Sequence, residues 1–252
     1  MKKALWIFLC LTGTIISHGQ YQESIDSGRS GRAVTAFTVG KNIGQIEAGL
    51  NYLDLQQQFS TAPFLRYGLT ETIELNGGVD YNFSDSEIRV YNFGAKFNIF
   101  EGDTMLPSSA FLINFNIPNN SEENPFSKVL FIFNFRSHGN LSITGNIGAN
   151  IDLDSTEIIG EDDNGNSKTT EVVKFEALYL LNVGYQLSNK FSVFVEPYVL
   201  FNKFNNPKTN FNVNSGVTYL ATKDILLDIQ AGYSIADKSF TASLGMSWRF
   251  PF

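Results

Sequence analysis

Residues 239–252 of the chain read SFTASLGMSWRFPF, and their side chains alternate between apolar and polar. Alternation with a period of two is typical of a β-strand whose two faces meet different environments. One face carries Phe240, Ala242, Leu244, Met246, Trp248, Phe250 and Phe252. The other face carries Thr241, Ser243, Gly245, Ser247 and Arg249. An apolar, aromatic face opposite a face of small polar groups favours a strand of a transmembrane barrel, with lipid outside and water inside.

The same alternation recurs along most of the chain. It predicts strands at residues 43–54, 61–69, 73–82, 87–100, 106–118, 126–138, 141–154, 172–188, 190–202, 208–221, 225–236 and 239–252. When a barrel closes with an even number of antiparallel strands, both chain termini lie on the same side of the membrane. We therefore predict an all-β fold, a single antiparallel transmembrane β-barrel of about 12 strands preceded by a cleaved signal peptide. The second strand is the shortest, and we expect it to begin before residue 61.

The predicted connections fall into two classes by length. Every second connection is short, whereas the other set includes the long stretch 155–171. Outer-membrane barrels have short periplasmic turns and longer extracellular loops. The asymmetry predicts that both chain termini of the barrel lie on the periplasmic side of the outer membrane of a Gram-negative bacterium.

The first residues, MKKALWIFLCLTGTIISHGQ, have two lysines, an apolar stretch and then small and polar residues. This layout predicts a signal peptide over residues 1–20. Residues 21–42 are then a periplasmic arm or a plug segment, and residues 43–252 form the transmembrane barrel. Cys10, the only cysteine, lies in the leader, so no disulfide is expected.

A soluble antiparallel fold such as a lipocalin also alternates, because it turns its apolar face toward a core. The polar faces here are rich in Asn, Ser, Thr and Gly rather than Lys and Glu. Small polar groups suit a crowded, wet lumen better than an open solvent face, which favours the membrane barrel.

Two stretches carry a resemblance to a known family. FTVGKNIGQIEAGLNY at 37–52 and APFLRYGLTETIELNGGVDY at 62–81 resemble the transporter-like outer-membrane β-barrel family named after meta-pathway phenol degradation. The hairpin at 65–71, with Glu74 beyond it, is the specific part. The resemblance implies an outer-membrane transporter whose substrate the family name does not define. The sequence departs from the pattern in the arm, where Ile25-Asp26-Ser27-Gly28-Arg29 replaces an Asp-Arg-Pro element.

The alternation places a set of charged side chains on the inner face of the barrel. These lumen-lining candidates are Glu47, Arg66, Glu74, Asp80, Lys96, Arg136, Asp152, Lys174, Glu176, Glu196, Asp228 and Arg249. They could form a permeation path whose mixed charges set selectivity. They could equally form a salt-bridged filling that only holds the barrel together. The mixture of acids and bases argues against a channel for anionic oligosaccharides.

Arg66 is the most specific single candidate. It faces inward beside Glu47 and Glu74 of the neighbouring predicted strands. Charges in a low-dielectric lumen need partners or water. The sequence therefore predicts an ion-pair cluster around Arg66.

Enzymatic and metal chemistry have little support. The acidic loop at 155–171 lacks the spacing of a Ca²⁺-binding loop, so a solvated loop is favoured and no metal or cofactor is predicted. Beyond the leader the only histidine is His138, at a predicted periplasmic turn, where it cannot form a serine–histidine dyad at the outer leaflet. No catalytic residue is predicted.

Three functions remain open at this point. The first is a channel or transporter for small solutes through a narrow polar lumen. The second is a structural or surface-interaction barrel with an occluded lumen, and the third and least favoured is an outer-membrane lipid hydrolase. The expected partners are outer-membrane lipid, the barrel assembly machinery through the C-terminal strand ending in Phe252, and an unidentified small solute. The acidic net charge of −7 argues against nucleic acid.

Overall fold

A computed structural model describes residues 24–29, 31–103, 105–120, 123–135, 139–153, 156–161, 167–171, 174–202 and 208–252. The predicted signal peptide, Arg136 and His138 lie outside these residues. No helix among the described residues is long and apolar enough to cross a membrane.

The described strands follow the alternating segments of the sequence. They are β1 Ile43–Leu53, β2 Gln58–Thr61, β3 Phe64–Gly68, β4 Ile73–Asn82, β5 Glu87–Phe100, β6 Ser108–Pro118, β7 Phe126–Phe135, β8 Leu141–Asp152, β9 Thr156–Glu161, β10 Ser167–Glu171, β11 Phe175–Gln186, β12 Phe191–Asn202, β13 Lys208–Thr222, β14 Ile225–Ser234 and β15 Ser239–Pro251. A short 3₁₀ helix, Asp54–Gln56, follows β1.

The strands close into a barrel. Each pairs antiparallel with its neighbours, and β1 pairs with β15 from Ile43 opposite Pro251 to Leu53 opposite Thr241. β2 and β3 both lie between β1 and β4, so they act as one wall strand. The predicted 12-strand antiparallel barrel is confirmed.

The second wall strand is interrupted at Ala62 and Pro63. Proline lacks a backbone N–H and cannot donate to a strand ladder. The carbonyl of Pro63 still accepts a hydrogen bond from the N–H of Val79 at 3.2 Å. The wall strand therefore continues past the interruption. It begins at Gln58, before residue 61, where the predicted strand begins.

The two faces of each strand differ as the alternation requires. Trp248 is 46% exposed and Ile229 is 60% exposed, whereas Ser247 is fully buried. Large apolar side chains thus cover the outside of the barrel, and the polar positions turn inward.

The barrel has a short-turn end, which carries Asn42 and Phe252, and a long-loop end. The long stretch between β8 and β11 contains the paired strands β9 and β10, which form a separate two-stranded sheet. Part of the stretch 155–171, which the sequence predicts as a loop, is therefore paired β-strand.

Residues 24–42 form an arm that enters the lumen and leaves it by the same end. At its start, Ile25 donates its N–H to the carbonyl of Lys223 at 2.8 Å, in the turn before β14. At its finish, Asn42 donates its N–H to the carbonyl of Gly68 at 2.8 Å, at the end of β3. Between these points the arm contacts walls on opposite sides of the barrel, including β8, β12 and β15.

The inner wall is not uniformly polar. Ala33 and Ala36 of the arm pack against an apolar patch on β6, β7 and β11. The wall members of the patch are Ala110, Leu112, Leu130, Ile132, Leu178 and Leu180. The lumen, which the sequence predicts to be narrow and polar, therefore has an apolar wall on this side.

Candidate functional site: the lumen and its arm

The centre of the lumen wall contains a buried charge cluster around Arg66. Arg66 Nε lies 2.9 Å from Glu74 Oε1, and Arg66 Nη2 lies 2.9 Å from Glu74 Oε2. Arg66 Nη1 lies 3.1 Å from Glu47 Oε1, and Lys96 Nζ lies 3.4 Å from Glu74 Oε1. The cluster forms because β3 lies between β1 and β4, which carry the two carboxylates on the same inner face. Paired, hydrogen-bonded charges of this kind tolerate a site without bulk water.

The same cluster holds the arm by its backbone. Arg66 Nη1 donates to the carbonyl of Asp26 at 3.0 Å, and Val39 donates its N–H to Glu74 Oε2 at 3.0 Å. Gly28 donates its N–H to Glu47 Oε1 at 3.2 Å. The ion pairs therefore serve two purposes, since they stabilise the wall and bind both limbs of the arm.

A second anchor is Arg29, which lies across the seam between β1 and β15. Its Nε lies 3.2 Å from Asp228 Oδ2, and its Nη2 donates to Ser243 Oγ at 2.9 Å and to the carbonyl of Leu244 at 2.6 Å. Gly49 and Gly245 face each other beneath it. A Cβ on Gly245 would lie 1.8 Å from Arg29 Nε, so the guanidinium needs glycine there.

A third anchor is Glu196 of β12, a fully buried carboxylate. Oε1 accepts the N–H of Arg32 at 2.7 Å, and Oε2 accepts the N–H of Ala33 at 2.9 Å. Asn214 Nδ2 donates to Oε1 at 2.9 Å, and Asn182 Nδ2 donates to Oε2 at 3.1 Å. Four donors replace the water that the carboxylate loses on burial, which explains how it stays in the wall without a cation.

Wall asparagines complete the binding of the arm. Asn146 accepts the N–H of Val34 at 2.7 Å and donates to its carbonyl at 2.8 Å. Asn134 accepts the N–H of Ala36, and Asn98 donates to the carbonyl of Ala36 at 3.1 Å. The arm is not paired in a β-sheet, so its backbone N–H and C=O groups hydrogen-bond to side chains of the lumen wall instead.

Among the described residues of the arm, Asp26 is the only one with a carboxylate side chain. It accepts a hydrogen bond from the hydroxyl of Thr35, farther along the arm. Burial raises the pKa of Asp26 above its ordinary value, and the neighbouring guanidinium of Arg66 opposes this shift. The folded-back arm is therefore favoured by the neutral form of this side chain.

The arm divides the lumen into two chambers. The outer chamber, toward the long-loop end, has a volume of about 390 Å³, and Arg32, Asn92, Asn114 and Lys128 are among its lining residues. The inner chamber, toward the short-turn end, also has a volume of about 390 Å³ and is lined in part by Asn140, Ser142, Gln186 and Thr218. Thr35 lines both chambers, so a single segment of the arm lies between them.

The structure sorts the predicted lumen-lining residues into groups. Those in contact with the arm are Glu47, Arg66, Glu74, Lys96, Glu196 and Asp228. Asp152, Lys174 and Glu176 line a separate cavity of about 290 Å³ toward the long-loop end. Arg249 is buried near the opposite end, 2.8 Å from Asp224 of the turn between β13 and β14. Asp80 is half-buried on β4, away from both chambers, and Arg136 lies outside the described residues.

Several functional positions were missed by the sequence reasoning. Arg29 and Arg32 belong to the arm, whose residues have no period that would indicate their direction. Lys128 shares the inward parity of Arg136 on the same predicted strand, and that parity could have identified it. The described residues contain no group of His, Cys, Asp and Glu side chains that could hold a metal ion.

Comparison with known families agrees with this architecture. Residues 27–250 match the family described as "Putative MetA-pathway of phenol degradation". The chain belongs to this family. The family match spans nearly the whole barrel and begins in the arm, which confirms the predicted resemblance.

Solved structures share the fold of this phenol-degradation-family member at low sequence identity. The NanC porin matches with a TM-score of 0.63 at 10% identity, over 81% of this chain and 98% of that chain. The KdgM porin matches with a TM-score of 0.55 at 9% identity, over 82% of this chain and 99% of that chain. The translocator domain of the autotransporter NalP from Neisseria meningitidis matches with a TM-score of 0.52 at 12% identity, over 82% and 87%. No curated protein matches the sequence. The protein is a barrel of the cell outer membrane, as predicted.

Proposed function

We propose that this family member is a channel for small solutes in the outer membrane, and that its N-terminal arm closes the lumen. The observation that carries the proposal is the pair of polar chambers of about 390 Å³, one on each side of the arm, both bordered by Thr35. Displacement of residues 24–36 would join the two chambers into one path along the barrel axis. At its far end the arm would stay attached, because it continues into β1.

The contacts of the arm are of a kind that permits such movement. Most are hydrogen bonds from its backbone to wall side chains such as Glu196, Asn146 and Asn134. A typical intramolecular hydrogen bond contributes only about 0.5–1.5 kcal/mol net, because water replaces the partner when it breaks. Residues 24–36 make more than ten hydrogen bonds with the wall, so the open form is infrequent and water must replace the partners one after another as the arm leaves.

A structural barrel with a permanently filled lumen is the second candidate. It is favoured by the packing of Ala33 and Ala36 on the apolar wall patch. Moving the arm would expose this apolar surface to water, which costs free energy. The two candidates differ in one measurable property, which is whether solute ever crosses the barrel.

Planar-bilayer conductance and liposome swelling with arabinose test the proposal. The full chain should give infrequent, brief openings and slow swelling. A variant with residues 24–36 replaced by a Gly/Ser segment of equal length should conduct for most of the recording. If the folded variant, verified by heat-modifiable migration, conducts no more than the full chain, the channel proposal fails and the structural barrel is favoured.

A further inference from the structure

The outer chamber has a charge balance unlike that of the whole protein. The chain has a net charge of −7. Among the described residues, the charged side chains that line this chamber are five bases, Arg29, Arg32, Arg66, Lys96 and Lys128, and two acids, Glu47 and Glu74. The arm enlarges the excess of bases, because it adds Arg29 and Arg32 to the three bases of the wall. A cationic cavity with low-dielectric walls concentrates anions.

Two of these bases lack a carboxylate partner among the described residues. Arg29, Arg66 and Lys96 are all within ion-pair distance of acids. No described carboxylate oxygen lies within 4.0 Å of Lys128 or of the Arg32 guanidinium, which instead lies 5.1 Å from the ring centre of Tyr198.

Glu196 accepts the backbone N–H of Arg32, but its carboxylate is not available as a partner for either cation. Each of its oxygens already accepts two hydrogen bonds, from the arm backbone and from two asparagines. The two cations therefore face the chamber with their charge uncompensated by a direct ion pair.

The wall beside Lys128 supplies hydrogen-bond acceptors that lack donors. Asn114 lies opposite Lys128 in the β6–β7 register. Among the described residues its Oδ1 is buried without a hydrogen-bond partner, as are Asn76 Oδ1 of β4 and Asn92 Oδ1 of β5. Asn76 is only 8% exposed. Buried polar atoms are almost always paired, so unpaired acceptors along a cavity indicate a site for a donor from elsewhere.

We propose that the outer chamber binds a small hydroxylated carboxylate, with Lys128 and Arg32 holding the carboxylate and the asparagine oxygens accepting from its hydroxyl groups. The chamber volume of about 390 Å³ lies within the roughly 300–1,000 Å³ typical of small-molecule sites. This site deepens the proposed function, on which it rests for the route by which the solute arrives.

Calorimetric titration of the folded, detergent-solubilised full chain tests the site. The probes are sodium D-gluconate and sorbitol, which carry similar hydroxyl groups and differ in the carboxylate. Gluconate should bind, and sorbitol should bind at least about tenfold more weakly, as expected for loss of one charge-assisted hydrogen bond. Equal binding of both probes, or binding of neither, would overturn the proposal.

Two substitutions locate the binding. Lys128→Gln and Arg32→Gln should each weaken gluconate binding by about tenfold or more. Lys190→Gln, which removes the same charge from the turn between β11 and β12, should bind gluconate like the parent chain. Arg32 belongs to the arm and not to a strand, so its variant remains informative if Lys128→Gln fails to fold. Unchanged affinity in Arg32→Gln would refute the assignment.

The titration tests the binding site and the conductance measurement tests the channel, so either proposal can be refuted without the other. A barrel that binds gluconate and never conducts keeps the site and loses the channel. A barrel that conducts and does not bind gluconate keeps the channel and loses the site.

Discussion

Gly49 on β1 and Gly245 on β15 face each other across the seam that closes the barrel, and the guanidinium of Arg29 occupies the space above both. A side chain at either position would meet Arg29 at less than 2.5 Å. The seam thus combines two functions in one place, since the residues that close the barrel also receive the arm.

Gly245→Ala should release the arm without opening the barrel. The added Cβ would lie 1.8 Å from Arg29 Nε, which forces the guanidinium away from Asp228. Trypsin should then cleave after Arg29 or Arg32 about tenfold faster or more, because cleavage follows the population of the released form. Fragment masses give the sites. Gly145→Ala is the control, since its Cβ would meet nothing closer than 4.0 Å and cleavage should stay at the parent rate.

Glu196→Gln should also loosen the arm. Its two carboxylate oxygens each accept two donors, and an amide nitrogen in place of one oxygen would confront two of them. We expect faster tryptic cleavage of the arm and more frequent channel openings. Glu176→Gln is the matched control, because Glu176 accepts one bond of 3.3 Å from Asn150 and is apart from the arm. Equal cleavage of the two variants would contradict the role of Glu196 as an anchor.

Arg66→Ala should impair assembly of the barrel. It leaves Glu47 and Glu74 buried with less compensation, and breaking a buried pair costs about 3–5 kcal/mol. The yield of heat-modifiable, folded protein should fall sharply. Arg89→Ala removes an ion pair to Asp85 in which both side chains are more than 40% exposed, and should cost less than about 1 kcal/mol. Unchanged folding yield for Arg66→Ala would show that the cluster is dispensable.

Much of the wall could be predicted from the sequence, because a strand between lipid and water must alternate. Residues 239–252 illustrate this, with Trp248 outside and Ser247 inside. The approach of Glu47 and Glu74 to Arg66 could also be predicted, since parity and neighbouring strands bring them to one face. These features depend on local period and on the order of adjacent strands.

The arm and the apolar patch could not be predicted in the same way. Ala33 meets Glu196 across a separation of 163 residues, and no period in the arm indicates which wall it faces. Leu130 and Ile132 lie in FSKVLFIFNF on the same face as Lys128 and Asn134, so the pattern predicts a polar side chain at each of their positions. These two side chains can face the lumen because Ala33 and Ala36 of the arm pack on them and cover them.

Ser27 of the arm and Ser247 of β15 offer the most direct test of closure by the arm. Their hydroxyl oxygens lie 2.7 Å apart, which places cysteines at these positions within reach of a disulfide of about 2.05 Å. The pair Ser27→Cys and Ser247→Cys, introduced into the Glu196→Gln variant, would fix the arm in the lumen when oxidised and free it when reduced.

Conductance of this locked variant should be measured in planar bilayers before and after reduction. Oxidation should abolish the openings, and reduction should restore them to the level of Glu196→Gln alone. Openings that persist unchanged in the fully oxidised protein would contradict closure of the lumen by the arm.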